Sequence, residues 1–110
     1  MAHYLLSFSF AAETTKKLIA KPEDRRAAAA KALKAVGGKL KDYYFALGKH
    51  DAIVVAELPD NLTAAAAGML TGSSGAFSHV QTTPLLTMAE AVKAMRAAGK
   101  ATKSYRPPGR

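Results

Sequence analysis

Residues 37–60 read Gly37-Gly38-Lys39-Leu40-Lys41-Asp42-Tyr43-Tyr44-Phe45-Ala46-Leu47-Gly48-Lys49-His50-Asp51-Ala52-Ile53-Val54-Val55-Ala56-Glu57-Leu58-Pro59-Asp60. Two runs rich in aromatic and β-branched residues, Lys39–Leu47 and Ala52–Glu57, flank Gly48-Lys49-His50-Asp51. Four residues with glycine first make a tight hairpin. Gly37-Gly38 stops whatever helix precedes the pair, and Pro59-Asp60-Asn61 breaks the chain after it and offers a helix cap. A hairpin with a helix on each side is the centre from which the rest of the chain is placed.

Upstream, His3–Phe10 has the period of a strand, with Tyr4, Leu6, Phe8 and Phe10 alternating with Leu5, Ser7 and Ser9. Glu13–Lys21 is a short amphipathic helix, and Pro22 is expected to open a second helical piece through the alanine run Ala27–Ala30. Glu23 and Asp24 suit its positive end, Lys31 and Lys34 its negative end. Downstream, Leu62, Ala65, Ala66, Met69 and Leu70 form one apolar stripe, expected to face the core, and Gly72-Ser73-Ser74-Gly75 ends that helix. Ala76–Pro84 is a fourth strand. Thr87 and Glu90 have capping-box spacing, Met88, Ala91, Val92 and Met95 give the last helix a stripe, and Gly99 is expected to close it.

The order β-α-β-β-α-β plus a C-terminal helix predicts an α+β, ferredoxin-like split βαβ fold: an antiparallel sheet with helices on one face. Strands one and three are expected side by side and parallel in the centre. Residues 1–99 form one domain and residues 100–110 a basic, proline-containing tail. Along the third strand, Ile53 and Val55 point one way, Val54 and Ala56 the other. A sheet with one open face should be polar there. Its partial apolarity predicts cover by a second copy, and hence a homodimer or larger homo-oligomer.

At 110 residues and 49% hydrophobic, much of it alanine, the chain can build one lean core. It has no cysteine, which excludes disulfides and thiolate metal sites and makes a reducing cytoplasm the simplest compartment. No apolar run reaches the roughly 18 residues of a membrane span, and Met1-Ala2-His3-Tyr4 lacks the basic lead-in of a signal peptide. A net charge of +8 suggests nucleic acid until it is located. Residues 93–110 hold six basic side chains and no acid, whereas residues 1–92 hold ten basic and eight acidic ones. The basicity belongs to the last helix and tail, which argues for a solvated segment before a reader of nucleic acid.

The hairpin, from Gly37-Gly38-Lys39-Leu40 through Tyr43-Tyr44-Phe45 and Gly48-Lys49-His50-Asp51 to Glu57-Leu58-Pro59-Asp60, resembles the GYD domain family. Thr82-Thr83-Pro84-Leu85-Leu86-Thr87 and Tyr105-Arg106-Pro107-Pro108 resemble one bacterial branch of it. Where the family carries tyrosine this chain has His50, which keeps a packing ring and a hydrogen-bonding group. The resemblance implies a small bacterial protein of the dimeric α/β-barrel type and no particular activity.

The residues themselves offer limited chemistry. His3, His50 and His79 have no metal-ligand spacing, no cofactor fingerprint is present, and neither metal nor cofactor is expected. If strands one and three start at the same sheet end, His3 and His50 meet there beside Asp51, and His79 lies nearer mid-sheet. The His50–Asp51 pair is then either a general base with its orienting partner or simply a turn, with Asp51 bonding backbone N–H groups. Tyr43 and Tyr44 point to opposite faces, one towards a pocket and one towards an interface. The candidate ligand site, a pocket for a small hydrophobic or aromatic molecule between sheet and helices, is therefore placed near His3, Tyr44, His50 and Asp51. The alternatives are an interaction module without ligand and nucleic-acid binding through the tail.

Overall fold

The computed structural model describes all 110 residues. Strands β1 (Ala2–Phe10), β2 (Lys39–Phe45), β3 (Ala52–Leu58) and β4 (Phe77–Leu85) form one sheet in the order β2-β3-β1-β4. Helices α1 (Ala12–Ala20) and α2 (Arg26–Ala35) fill the first crossover, α3 (Asn61–Gly72) the second, and α4 (Met88–Ala101) follows β4. This is the expected ferredoxin-like arrangement, with α2 and α3 on one face.

One expectation is corrected. β1 and β3 are neighbours but antiparallel, Ala2 facing Leu58 and Phe8 facing Ala52. The crossover makes β1 and β2 run in the same direction with a gap between them. The hairpin then reverses β3, which fills that gap.

The core is the helix-covered face of the two central strands. Tyr4, Leu6 and Phe8 of β1 are buried there with Ala52, Val54, Ala56 and Leu58 of β3. Tyr4 is 1% exposed, and its hydroxyl donates to Asn61 Oδ1 at 2.7 Å, tying β1 to the start of α3. The stop between α2 and β2 is glycine by necessity. Gly37 has φ +82, and a Cβ on Gly38 would sit 2.9 Å from Glu57 O and collide with Leu58 Cδ2.

Three further readings change. The α3 stripe faces outward, with Leu62 79% and Met69 74% exposed, while Ala64 and Ala67 are buried against the sheet. The helix lies close on β4, where a Cβ at Gly68 would meet Thr82 Oγ1 at 3.6 Å, and close approach selects small residues for the inner side. Pro22 lies in the link between α1 and α2 instead of opening a helix; Asp24 Oδ1 accepts from Arg26 N–H at 2.9 Å where α2 begins. Finally, α4 runs through Gly99 to Ala101 and a 3-10 turn at Thr102–Ser104. An interior glycine costs about 1 kcal/mol relative to alanine, too little to stop a helix that gains hydrogen bonds beyond it.

Candidate functional site

The sheet presents large side chains to its helices, and the helices answer with small ones. Leu6, Phe8, Phe10, Tyr43 and Val54 rise from the sheet towards Ala28, Ala29 and Ala32 of α2 and Ala67 and Gly68 of α3. Alanine cannot reach far enough to close that space, and a chamber of about 360 Å³ remains. Fifteen of its 20 lining residues are hydrophobic. At the hairpin end its wall is aromatic: Phe77 lies 5.0 Å from Phe8 and 5.7 Å from Phe10, centroid to centroid, and outside the chamber Phe45 packs on Phe10 at 5.6 Å.

The few polar groups are Arg25, Tyr43, Thr71, Ser74 and Thr82. Arg25, Tyr43 and Phe10 also border a shallower groove beneath α1, lined by Leu18, Ile19 and Pro22, so the chamber adjoins the surface on that side. Burial pushes the Tyr43 phenol above its ordinary pKa; the Arg25 charge pulls it back and Asp24 adds to the rise. The phenol is therefore a hydrogen-bonding group at neutral pH, not a base.

None of His3, Tyr44, His50 and Asp51 lines the chamber. Tyr44 faces Ile53 across the hairpin and stands on the open face, 62% exposed; Tyr43, facing Val54, is the chamber tyrosine. An irregularity between Leu40 and Asp42 shifts the phase of β2, and no residue pattern announces it. The expected meeting of His3 and His50 does not occur, because antiparallel β1 and β3 place them at opposite ends of the sheet. His3 pairs in register with Glu57, its Nε2 3.4 Å from Glu57 Oε1.

His50 instead meets His79, which register places opposite Ser9 at the hairpin end. Their rings stack at 5.6 Å with 14° between planes, and His50 Nδ1 is buried without a hydrogen-bond partner. Asp51 straps the hairpin to β1. Its Oδ2 accepts from Phe10 N–H and its own N–H donates to Phe8 O, each at 2.8 Å. That is the backbone-bonding role considered for Asp51, with β1 as the partner strand. No three His, Asp or Glu side chains converge as a metal-binding set.

The model of the GYD domain matches residues 4–95, which includes every strand except the first two residues of β1, and α1 to α3. The chain belongs to the GYD domain family. Among solved structures, the GYD chain is similar to one described as FFRP-DM1, at 20% identity and TM-score 0.46, covering 78% of this chain and all of that one. A hypothetical protein, PHS023 from Pyrococcus horikoshii, is similar at 19% identity and TM-score 0.45, covering 79% of this chain and 92% of that one. Likenesses this distant carry nothing about ligands or partners. No curated protein matches the chain. No helix is long and apolar enough to cross a membrane.

Proposed function

We propose that this GYD domain binds a small, largely apolar molecule, aromatic by preference, in the chamber between the sheet and helices α2 and α3. The chamber itself supports the reading: about 360 Å³, three-quarters lined by hydrophobic residues and edged by phenyl rings. Ligand pockets run from roughly 300 to 1,000 Å³, and an apolar cavity of about 150 Å³ suffices for benzene. A bicyclic aromatic has room here. Tyr43 and Arg25, whose guanidinium also donates to Glu23 Oε1 at 3.3 Å, border the chamber as hydrogen-bond donors for a ligand carrying one polar group.

Binding is favoured over catalysis by what the lining lacks. Arg25 is a cation and Tyr43 a phenol, so the chamber holds no side chain able to take a proton at neutral pH. Titration with 2-naphthol tests the reading, with the exposed chamber wall residue Ala32 as control. The wild-type chain should bind saturably, and Ala32→Phe, which fills the space, should weaken binding at least tenfold while the fold persists. Equal binding by both chains would place the ligand elsewhere.

A second reading has its own observation. Leu5, Ile53, Val55 and Leu85 lie on the open face, and α1, α2 and α3 all pack on the other side. Self-association through that face is the proposal this supports.

A further inference from the structure

The charge of the chamber has one sign. Arg25 is the only charged side chain among its 20 lining residues, and no carboxylate stands among them. The other polar groups differ in what they already do. Thr71 Oγ1 donates to Ala67 O at 3.0 Å and to Gly68 O at 3.1 Å, and Ser74 Oγ donates to Thr71 O at 2.6 Å. Those hydroxyl protons are spent on backbone carbonyls at the end of α3. On the opposite, β2 side, Tyr43 and Arg25 stand together, close enough for the Arg25 charge to act on the Tyr43 phenol. The chamber thus has an apolar body and one cationic corner.

That corner lies at the rim. Arg25 immediately precedes α2 and also borders the groove beneath α1, and its side chain is 42% exposed. An ion pair formed there keeps part of its hydration and avoids the large desolvation cost of a buried one. A ligand with an apolar ring system and a terminal anion therefore fits the chamber lengthwise, rings inside and charge at the edge.

Two acids stand nearby. Glu23 and Asp24 border the adjoining groove but not the chamber. Asp24 Oδ1 already accepts from Arg26 N–H at 2.9 Å. Glu23 Oε1 accepts from Arg25 Nη1 at 3.3 Å, a single long contact between two exposed side chains, and such pairs are weak. A guanidinium carries five N–H donors and takes a carboxylate best through two parallel bonds. Glu23 is accordingly a weak internal competitor that shows which chemistry Arg25 accepts. A cationic ligand finds no carboxylate in the chamber wall, and a phosphate dianion would call for a second cation.

We infer that the chamber's ligand is an aromatic monocarboxylate, its rings among Phe8, Val54 and Phe77 and its carboxylate on Arg25 and Tyr43, in the place of Glu23. This rests on the chamber as a binding site and adds the charge and the orientation of what it binds.

Calorimetric titration of the full chain at neutral pH tests it with two probes, 2-naphthoate and 2-naphthamide, its uncharged counterpart of the same shape. The wild type should bind the carboxylate about tenfold more tightly, the scale of one charge-assisted bidentate contact. Arg25→Gln should erase that preference and Arg25→Lys restore only part of it, because an ammonium lacks the planar fork. The Arg25 side chain makes no cap bond to α2, so both variants should keep the fold. Glu23→Gln removes the competitor and should strengthen naphthoate binding about twofold while leaving the amide unchanged. Equal affinity for the two probes, or a preference that survives Arg25→Gln, would overturn the inference. If 2-naphthol still binds saturably and is lost on Ala32→Phe, the chamber reading stands and only the charge assignment falls. No saturable binding of any of the three probes, or naphthoate binding untouched by Ala32→Phe, would bring down both.

Discussion

The two faces of the β1–β3 pair are built from the same alternating code and end in opposite states. On one, Tyr4, Leu6, Phe8, Val54 and Leu58 are covered by helices, yet alanines on α2 and α3 leave a chamber above the sheet. On the other, Leu5, Ile53 and Val55 stand among Ser7, Ser9, Glu57 and Gln81, with no helix of the same chain packed over them. Covering a face and filling it are separate matters. The covered face has room for a small molecule, and the uncovered face keeps apolar side chains outside the protomer core.

The sharpest way to break this comparison is a pair of neighbouring substitutions. Val54→Asp puts a carboxylate where exposure is 2%, and several kcal/mol of desolvation should leave the chain unfolded at room temperature. Val55→Asp, one residue along and on the other face, should leave a folded protomer and alter only self-association. Circular dichroism and sedimentation of the two variants decide it; equal losses of fold would mean that the faces are not distinct.

A smaller effect is expected at the corner that sets the height of α2 above the sheet. Gly38→Ala drives a methyl into Leu58 and Glu57 O and should cost about 1–3 kcal/mol in urea titration. Smaller again, Tyr4→Phe removes the donor to Asn61 Oδ1 and should cost about 1 kcal/mol, leaving both the chamber and the open face intact.

Last comes acid. Hydrogen bonds from Thr63 hold the Asp60 carboxyl below its ordinary pKa, and bonds with Thr87 do the same for Glu90. A lowered folded value means stability that is present above the unfolded pKa and lost as pH falls through the folded one. Both groups are surface carboxylates, so the loss should be slight. It should appear as fraying of the first turns of α3 and α4 at acid pH, seen in the amide resonances of Thr63 and Glu90.

How far the sequence carries differs between the two faces. The period-two run of β1, the Gly48–Asp51 turn and the Thr87–Glu90 cap are local signals, and each element appears where it is read. The orientation of α3 is not local. Its bulky stripe looks like a core face, and only the close approach of β4 turns the alanines inward. The candidate site suffers in the same way, because the direction of β3 relative to β1 decides which histidines meet. With that direction reversed, His3 goes to Glu57 and His50 to His79. The phase of β2 then decides between the tyrosines, and Tyr43 takes the chamber while Tyr44 takes the surface.

The distinction between the faces is measured most directly by amide chemical shifts during a 2-naphthol titration of the full chain. Saturable shifts centred on Phe8, Leu33, Val54 and Phe77, with Lys39, Glu57 and Leu85 at the far end of the open face unmoved, are the predicted result. Shifts centred on Leu5 and Val55, or no saturable shifts at all, would contradict it.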